Sequence, residues 1–275
     1  MEQPSKDQHT PVEVVEASSG FSRGRLLALL EADLPVVLRG LFAHQRMHQW
    51  TLDTLCESLG DHLLDCRFQK RKEKEPSSWP REGQMRLEEV LEEWRRQDAS
   101  HSVYVAGAEV RPVERLTRDF SLAHFIDDEE RKLTLAGLWL GREPLQHSQC
   151  HFDCAHNLLC VIQGTKHVLL ASPKDFRAMA TYSSSSRPNG FPDSTRDYYR
   201  FTSLDIRHGD PALRPRLLEA TLERGDALLI PIGWFHDVQS SHAGAGFHMA
   251  MSFFWHESKT DFRRHAFLRM FETEV

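Results

Sequence analysis

The chain has 275 residues, 27% of them charged and 40% hydrophobic, with a formal net charge of −6. That is the composition of a soluble globular protein, long enough for one large domain or two small ones, and its negative balance argues against general nucleic-acid affinity while leaving room for a local basic groove. No segment approaches the ~18 apolar residues of a membrane span, and the five cysteines, Cys56, Cys66, Cys150, Cys154 and Cys160, follow no disulfide framework, so a cytoplasmic or nuclear protein with free thiols and no membrane contact is expected.

In chain order, the polar residues 1–20 are expected to form a flexible leader. "SRGRLLALLEAD" has helical apolar spacing behind Ser22 as an N-cap. "LPVVLRGLF" reads as a short buried strand. In "WTLDTLCESLGD", Trp50, Leu52, Leu55 and Leu59 form a helical stripe that Gly60 ends. "HLLDCRF" is a further strand. "QKRKEKEPSSWPREGQ" is charged and proline-interrupted, so an exposed loop is expected, its basic run at 70–74 a solvated face. "MRLEEVLEEWRRQD" is an amphipathic helix with Leu87, Val90, Leu91 and Trp94 on one side, and "SVYVAG" is a strand.

Beyond Leu133 the pattern changes to short apolar runs punctuated by Gly and Pro, the signature of a sandwich or barrel. The main interruption, residues 181–216, is rich in Ser, Arg, Pro and Asp and reads as a long insertion over one end of the barrel. The tail "KTDFRRHAFLRMFETEV" has apolar residues at i,i+4 spacing and is expected to be a helix. The domain boundaries that follow are a leader at 1–20 and a single domain at 21–275. Its parts are an α/β portion at 21–132, a jelly-roll core at 133–256 and a C-terminal helix at 257–275.

The chemistry concentrates in "SQCHFDCAHNLLCVIQGTKHVLL", residues 148–170. Side chains two apart on a strand share a face, so His151 and Asp153 point together, with Phe152 opposite. A metal held by two groups of one strand needs a third from elsewhere. "GDALLIPIGWFHDVQS" delivers one, His236, through an apolar strand, a Pro-Ile-Gly turn and an aromatic pair. Two imidazoles and a carboxylate leave three positions open on an octahedral ion, the donor set of non-haem Fe(II) oxygenases. Lys166, inside an apolar run, must reach solvent at a strand end or meet an anion, because an unpaired buried charge is costly. Competing arrangements are a zinc cluster of Cys150, His151, Cys154 and His156, and His248 in place of His236. Asp237 reads as exposed and His242 as loop surface.

"HFD" (151–153), Asn157, Lys166, "LERGDALLIPIGWFHDV" (222–238) and "SFFW" (252–255) together resemble the JmjC or cupin-like 2-oxoglutarate oxygenases, in particular the small JmjC-only hydroxylases. "SLDIRHGDPALRP" is similar to the loop that precedes the family's last strands. The likeness runs from about Tyr104 to Trp255 and is looser over residues 34–60. It implies a mainly β double-stranded β-helix, a cupin-like jelly roll of JmjC type, with flanking N-terminal helices and a C-terminal helix. It implies His151, Asp153 and His236 as Fe(II) ligands and catalytic centre. It assigns Lys166, Tyr104 and Ser148 to the distal carboxylate of 2-oxoglutarate, and Asn157 and Ser252 to the lining of that pocket. The sequence departs from the family where a glutamine usually follows "YV", here Ala106-Gly107, and where a Thr-Pro usually leads to the first ligand, here "SQC". Ser148 and His151 differ by three, so both reach one site only if a bulge or turn intervenes.

The activity so implied is oxidative decarboxylation of 2-oxoglutarate by dioxygen to succinate and CO2, with hydroxylation of a C–H bond. The expected substrate is a protein side chain. A modified tRNA base comes second and a methylated histone third. A non-catalytic cupin-like metal-binding module and a zinc-dependent cupin hydrolase are the readings from other classes. The C-terminal helix is expected to support a homodimer.

Overall fold

The computed structural model describes residues 9–17, 21–70, 80–96, 101–120, 132–183, 186, 191, 197–208, 217–242, 244, 246–256 and 268. The elements are, in order, β1 (Thr10–Pro11), β2 (Glu13–Glu16), α1 (Arg23–Glu31), β3 (Val36–Arg39), α2 (Leu52–Leu59), β4 (Leu64–Lys70), β5 (Arg81–Met85), α3 (Leu87–Arg95), β6 (His101–Glu109) and α4 (Glu114–Thr117). There follow β7 (Lys132–Gly141), β8 (Leu145–Phe152), β9 (His156–Gln163), β10 (Thr165–Ala171), β11 (Leu218–Leu222), β12 (Ala227–Ile230), β13 (Phe235–Ser241) and β14 (His248–His256). Among the described residues no helix is long and apolar enough to cross a membrane.

The strands form two sheets, ordered β1-β11-β10-β13-β8 and β2-β3-β12-β9-β14-β7-β6-β4-β5. From β7 onward successive strands change sheet at nearly every step, which is how a jelly roll is wound. Val168, Leu170, Ala220 and Leu222 of the smaller sheet meet Leu159, Val161, Leu228, Ile230 and Ala250 of the larger one in a core between them. A second core fills the outer face of the larger sheet. There Leu26, Leu30, Leu55, Leu59, Leu87, Val90 and Trp94 from the three longer helices cover Leu138, Leu158, Met251, Phe253 and Trp255. Burying each such side chain contributes about 1.5–3 kcal/mol, so the N-terminal third belongs to the sheet's stability.

The helices start where capping chemistry allows. The Ser22 hydroxyl accepts the Arg25 N–H at 3.3 Å, and Thr51 and Thr54 form a reciprocal box at the start of α2. Gly60, with φ 50°, ends that helix. Two stretches differ from the sequence reading. Within the expected leader, β1 pairs with β11 and β2 with β3, both in parallel. Val12, Val15 and Ala17 are buried, and these few apolar positions are too sparse to register against a polar background. At the end of the expected exposed loop and the first residue of the helix expected after it, Arg81–Met85 is strand β5, paired with β4; its backbone bonds hold a segment whose side chains carry no apolar pattern. The basic positions 71–74 and the expected tail helix, apart from Leu268, which packs on the smaller sheet, lie outside the described residues.

Candidate metal and co-substrate site

β8 and β13 are antiparallel neighbours whose register places His236 opposite His151 and Phe235 opposite Phe152. The two phenylalanines turn to the outer face, where their rings meet edge-on with centroids 5.0 Å apart. The two histidines turn inward, their ring centroids 4.4 Å apart. Asp153 follows the end of β8, and its carbonyl accepts the Gly233 N–H at 3.0 Å, which ties it to the turn before β13. Gly233 has φ 81°, a left-handed conformation that a Cβ would oppose. The "PIGW" turn thus holds the strand that carries His236 against the one that carries His151.

The ligating atoms of His151, Asp153 and His236 all lie within 4.8 Å of one another, the one such group of three among the described residues. Asp153 Oδ2 is 3.5 Å from His236 Nε2, and Oδ1 is 3.9 Å from His151 Nε2. His151 Nδ1 lies 2.8 Å from the Gln149 carbonyl and His236 Nδ1 3.0 Å from the Trp234 carbonyl. A carbonyl only accepts, so each Nδ1 carries the proton and each Nε2 presents a lone pair to the shared space. Burial, and then the neighbouring His236, push the His151 pKa down to about 4, which keeps the ring in the neutral form a metal needs. Pinned tautomers, converging lone pairs and one carboxylate fit a divalent ion with open positions. Phe201 stacks on His151 at 5.0 Å between centroids and closes one side.

A cavity of about 1590 Å³ contains this group, and Lys166, Tyr104, Ser148, Asn157 and Ser252 also line it. Lys166 is 4% exposed. Its Nζ donates to the Ser240 hydroxyl at 2.7 Å, and among the described residues no carboxylate pairs with it. Burial pushes its pKa down to about 7. A cation held in a closed space without a counterion is suited to an anion that enters from outside. Tyr104 lies beside Trp139, with centroids 6.2 Å apart. Ser252 accepts the Trp139 indole N–H at 2.9 Å. The Asn157 side-chain oxygen is buried with no partner among the described residues.

Ser148 does share the cavity, because the strands do bulge. His236 faces His151 but Val238 faces Ser148, so Gln149 and Cys150 together span the single position of Asp237. The hydroxyl is already engaged there: it accepts the Val238 N–H at 3.1 Å and donates to the Val238 carbonyl at 3.2 Å. Its one proton is spent, and the hydroxyl beside Lys166 is that of Ser240, which the sequence reading did not single out. Ser240 is the cross-strand partner of Lys166, a pairing visible only once the register is known.

The competing arrangements do not assemble. Cys150 and Cys154 pack into the outer apolar cluster with Phe152 and Phe235, and burial raises the Cys150 thiol well above its ordinary pKa. His156 Nδ1 accepts the Ile232 N–H. His248 stands by Tyr104, away from the triad. Asp237, expected to be exposed, is 3% exposed. It lies on a strand flanked on both sides, and the segment around Arg207 covers its face. Arg207 Nε bonds one carboxylate oxygen and His147 Nε2 lies 2.6 Å from the other.

Two facing sheets, antiparallel except where β1 and β2 join them, with a His-x-Asp pair at the end of one strand and a histidine on its neighbour, define a class. The pattern of the cupin-like domain family, a JmjC-like family, matches residues 27–261, and the chain belongs to it. Its similarities are to the lysine-specific demethylase JMJ31 of Arabidopsis thaliana, 30% identical over 146 residues, 51% of this chain and 24% of that protein. Jumonji C domain-containing protein 5 of Drosophila melanogaster is 29% identical over 122 residues, 42% of this chain and 26% of that protein. Human tRNA wybutosine-synthesizing protein 5 is 33% identical over 110 residues, 38% of this chain and 29% of that protein. The matches thus span about a quarter to three tenths of these relatives' own lengths.

Proposed function

We propose that the chain is an Fe(II)- and 2-oxoglutarate-dependent dioxygenase that hydroxylates a protein side chain. The observation that carries this reading is Lys166, a buried amine with no carboxylate partner among the described residues, in the same cavity as three converging side chains that could hold a metal. His151, Asp153 and His236 would hold the iron. Bound there with 2-oxoglutarate and dioxygen, it supplies the oxidation that yields succinate, CO2 and a hydroxylated product. The Gln149 and Trp234 carbonyls keep each Nδ1 protonated and each Nε2 free. Lys166 Nζ, steadied by Ser240, pairs with the far carboxylate of the dicarboxylate, and Tyr104, Asn157 and Ser252 line its path. Phe201, stacked on His151, and Tyr182, whose hydroxyl takes the Gln149 amide N–H at 3.0 Å, wall the entrance and limit water.

Titration of the apo protein with Fe(II) in the absence of oxygen tests the site. Binding of one ion that Asp153→Ala and His236→Ala each abolish, with far-UV circular dichroism unchanged, is expected. Equal binding by the variants sinks the reading. A modified tRNA base is a second reading. It is favoured by the relatives named for tRNA wybutosine synthesis and by Arg67, Arg81 and Arg96 at the mouth of the cavity. Mass spectrometry of proteins and RNA captured by the Asp153→Ala variant separates the two. Absence of any 2-oxoglutarate turnover favours the non-catalytic binding module.

A further inference from the structure

The guanidinium of Arg207 is engaged on several sides inside the protein, and its side chain is 9% exposed. Nε donates to the Asp237 carboxylate, and Nη1 donates to His167 Nδ1 at 2.8 Å. Nη2 donates to the backbone carbonyls of His167 and Asp237, both at 3.0 Å. One planar fork thus ties β10 to β13. Around it, Glu219 of β11 bonds His167 Nε2, and His147 of β8 bonds the second Asp237 oxygen. These polar contacts cross β11, β10, β13 and β8, the order in which the strands lie in the smaller sheet.

The fork grips the sheet where it is irregular. Asp237 follows His236 and turns to the opposite face of β13, and it is the single residue that Gln149 and Cys150 together oppose. A bulge disrupts the ladder locally and leaves one residue unpaired, so other contacts set the spacing of the strands there. On one side of Asp237 the Ser148 hydroxyl bonds both backbone polar groups of Val238. On the other side stand His236 and His151, their ring centroids 4.4 Å apart. Between them Arg207 holds Asp237 by its carboxylate and by its carbonyl. A buried ion pair adds little net stability over apolar side chains of the same volume. The neighbours Phe235, Leu169 and Ile206 belong to an apolar cluster, so an apolar pair would have served for stability alone. What the ion pair supplies is a fixed geometry beside the two histidines.

We propose that Arg207 is a positioning residue for the metal centre: by pinning Asp237 at the bulge, it sets where β13 presents His236 against His151. This rests on the reading of His151, Asp153 and His236 as metal ligands.

Oxygen-free titration with Co(II), whose d–d absorption reports ligand geometry, tests the proposal without turnover. Wild type is expected to bind one ion. Arg207→Lys keeps the charge but not the fork that reaches two strands. It is expected to weaken Co(II) about tenfold, the lower end of what the outer contacts of metal ligands contribute, and to change the shape of the absorption. Arg39→Lys is the control, because Arg39 pairs with Asp226, itself 3% exposed, in the larger sheet. It is expected to lower the urea midpoint and to leave Co(II) affinity and spectrum at wild-type values. Wild-type affinity and spectrum in Arg207→Lys, or the same losses in Arg39→Lys, overturn the proposal and leave Arg207 a stabilising residue only. If Arg207→Lys does not fold, the double variant of Arg207→Met with Asp237→Leu, which leaves neither charge of the pair behind, is measured in its place. Weakened binding with an altered spectrum then supports the proposal, and wild-type behaviour refutes it. His236→Ala separates the two levels. If wild type binds no Co(II), or His236→Ala binds it equally well, the metal reading itself fails. If His236→Ala loses the ion and Arg207→Lys binds it as wild type does, only the role of Arg207 fails.

Discussion

Lys166 has the property that a solution measurement detects most easily. With its pKa pushed down to about 7 in the empty cavity, it is mostly neutral at pH 8, whereas pairing with a dianion requires the charged form. Binding of 2-oxoglutarate at pH 8 should therefore take up close to one proton from the buffer. Uptake should vanish below about pH 6, where the amine is already protonated. Calorimetry in buffers of different ionisation enthalpy reads this directly, and Lys166→Met should abolish it. The sign also governs the unliganded protein. A lysine of lowered folded pKa binds fewer protons folded than unfolded, so stability rises with pH from about 7 towards the ordinary lysine value near 10.4. At this scale the sequence was informative about residue types and poor about their surroundings. His151, Asp153, His236 and Lys166 stood out because such groups are rare in apolar strands. Ser240 did not, and Asp237 read as exposed, because a serine and an aspartate in a strand give no sign of their surroundings until the cross-strand register shows what they face.

At the scale of elements, the site depends on how β8 and β13 are joined and spaced. Gly233 sits in a left-handed conformation, and its N–H holds the Asp153 carbonyl. Gly233→Ala should cost about 1–2 kcal/mol of stability in urea unfolding and weaken metal binding, since it disturbs the turn that delivers His236; unchanged metal affinity would mean that the turn does not set the ligand's position. A bulge or turn before His151 was expected on the condition that Ser148, placed in the site by the resemblance, shares it with His151; the structure has a bulge, at Gln149–Cys150. What parity could not give was the partner that fixes the bulge, the Val238 backbone. Helices α1, α2 and α3 were legible from period and caps, whereas β5 was hidden in a run of charged and glycine residues.

At the scale of the whole molecule, both sheets take in strands from residues 10–16. β1 adds to the smaller sheet and β2 to the larger, and Val12 and Val15 are buried. Deleting residues 1–17 should lower the melting temperature and expose the edges of β3 and β11, seen as aggregation at concentrations where the full chain stays monodisperse; an unaltered melt would show that these strands add no stability. The alternation of strands between sheets brings β8, β10 and β13 together, so that a group able to hold a metal and a buried lysine, 15 residues apart in sequence from 151 to 166, line one cavity. That joint arrangement is the central claim, and turnover tests it most directly. Purified protein with Fe(II), dioxygen and labelled 2-oxoglutarate is expected to release succinate. The release should be lost in Asp153→Ala and at least tenfold lower in Lys166→Met at subsaturating 2-oxoglutarate. Wild type that releases no more succinate than Asp153→Ala would contradict it.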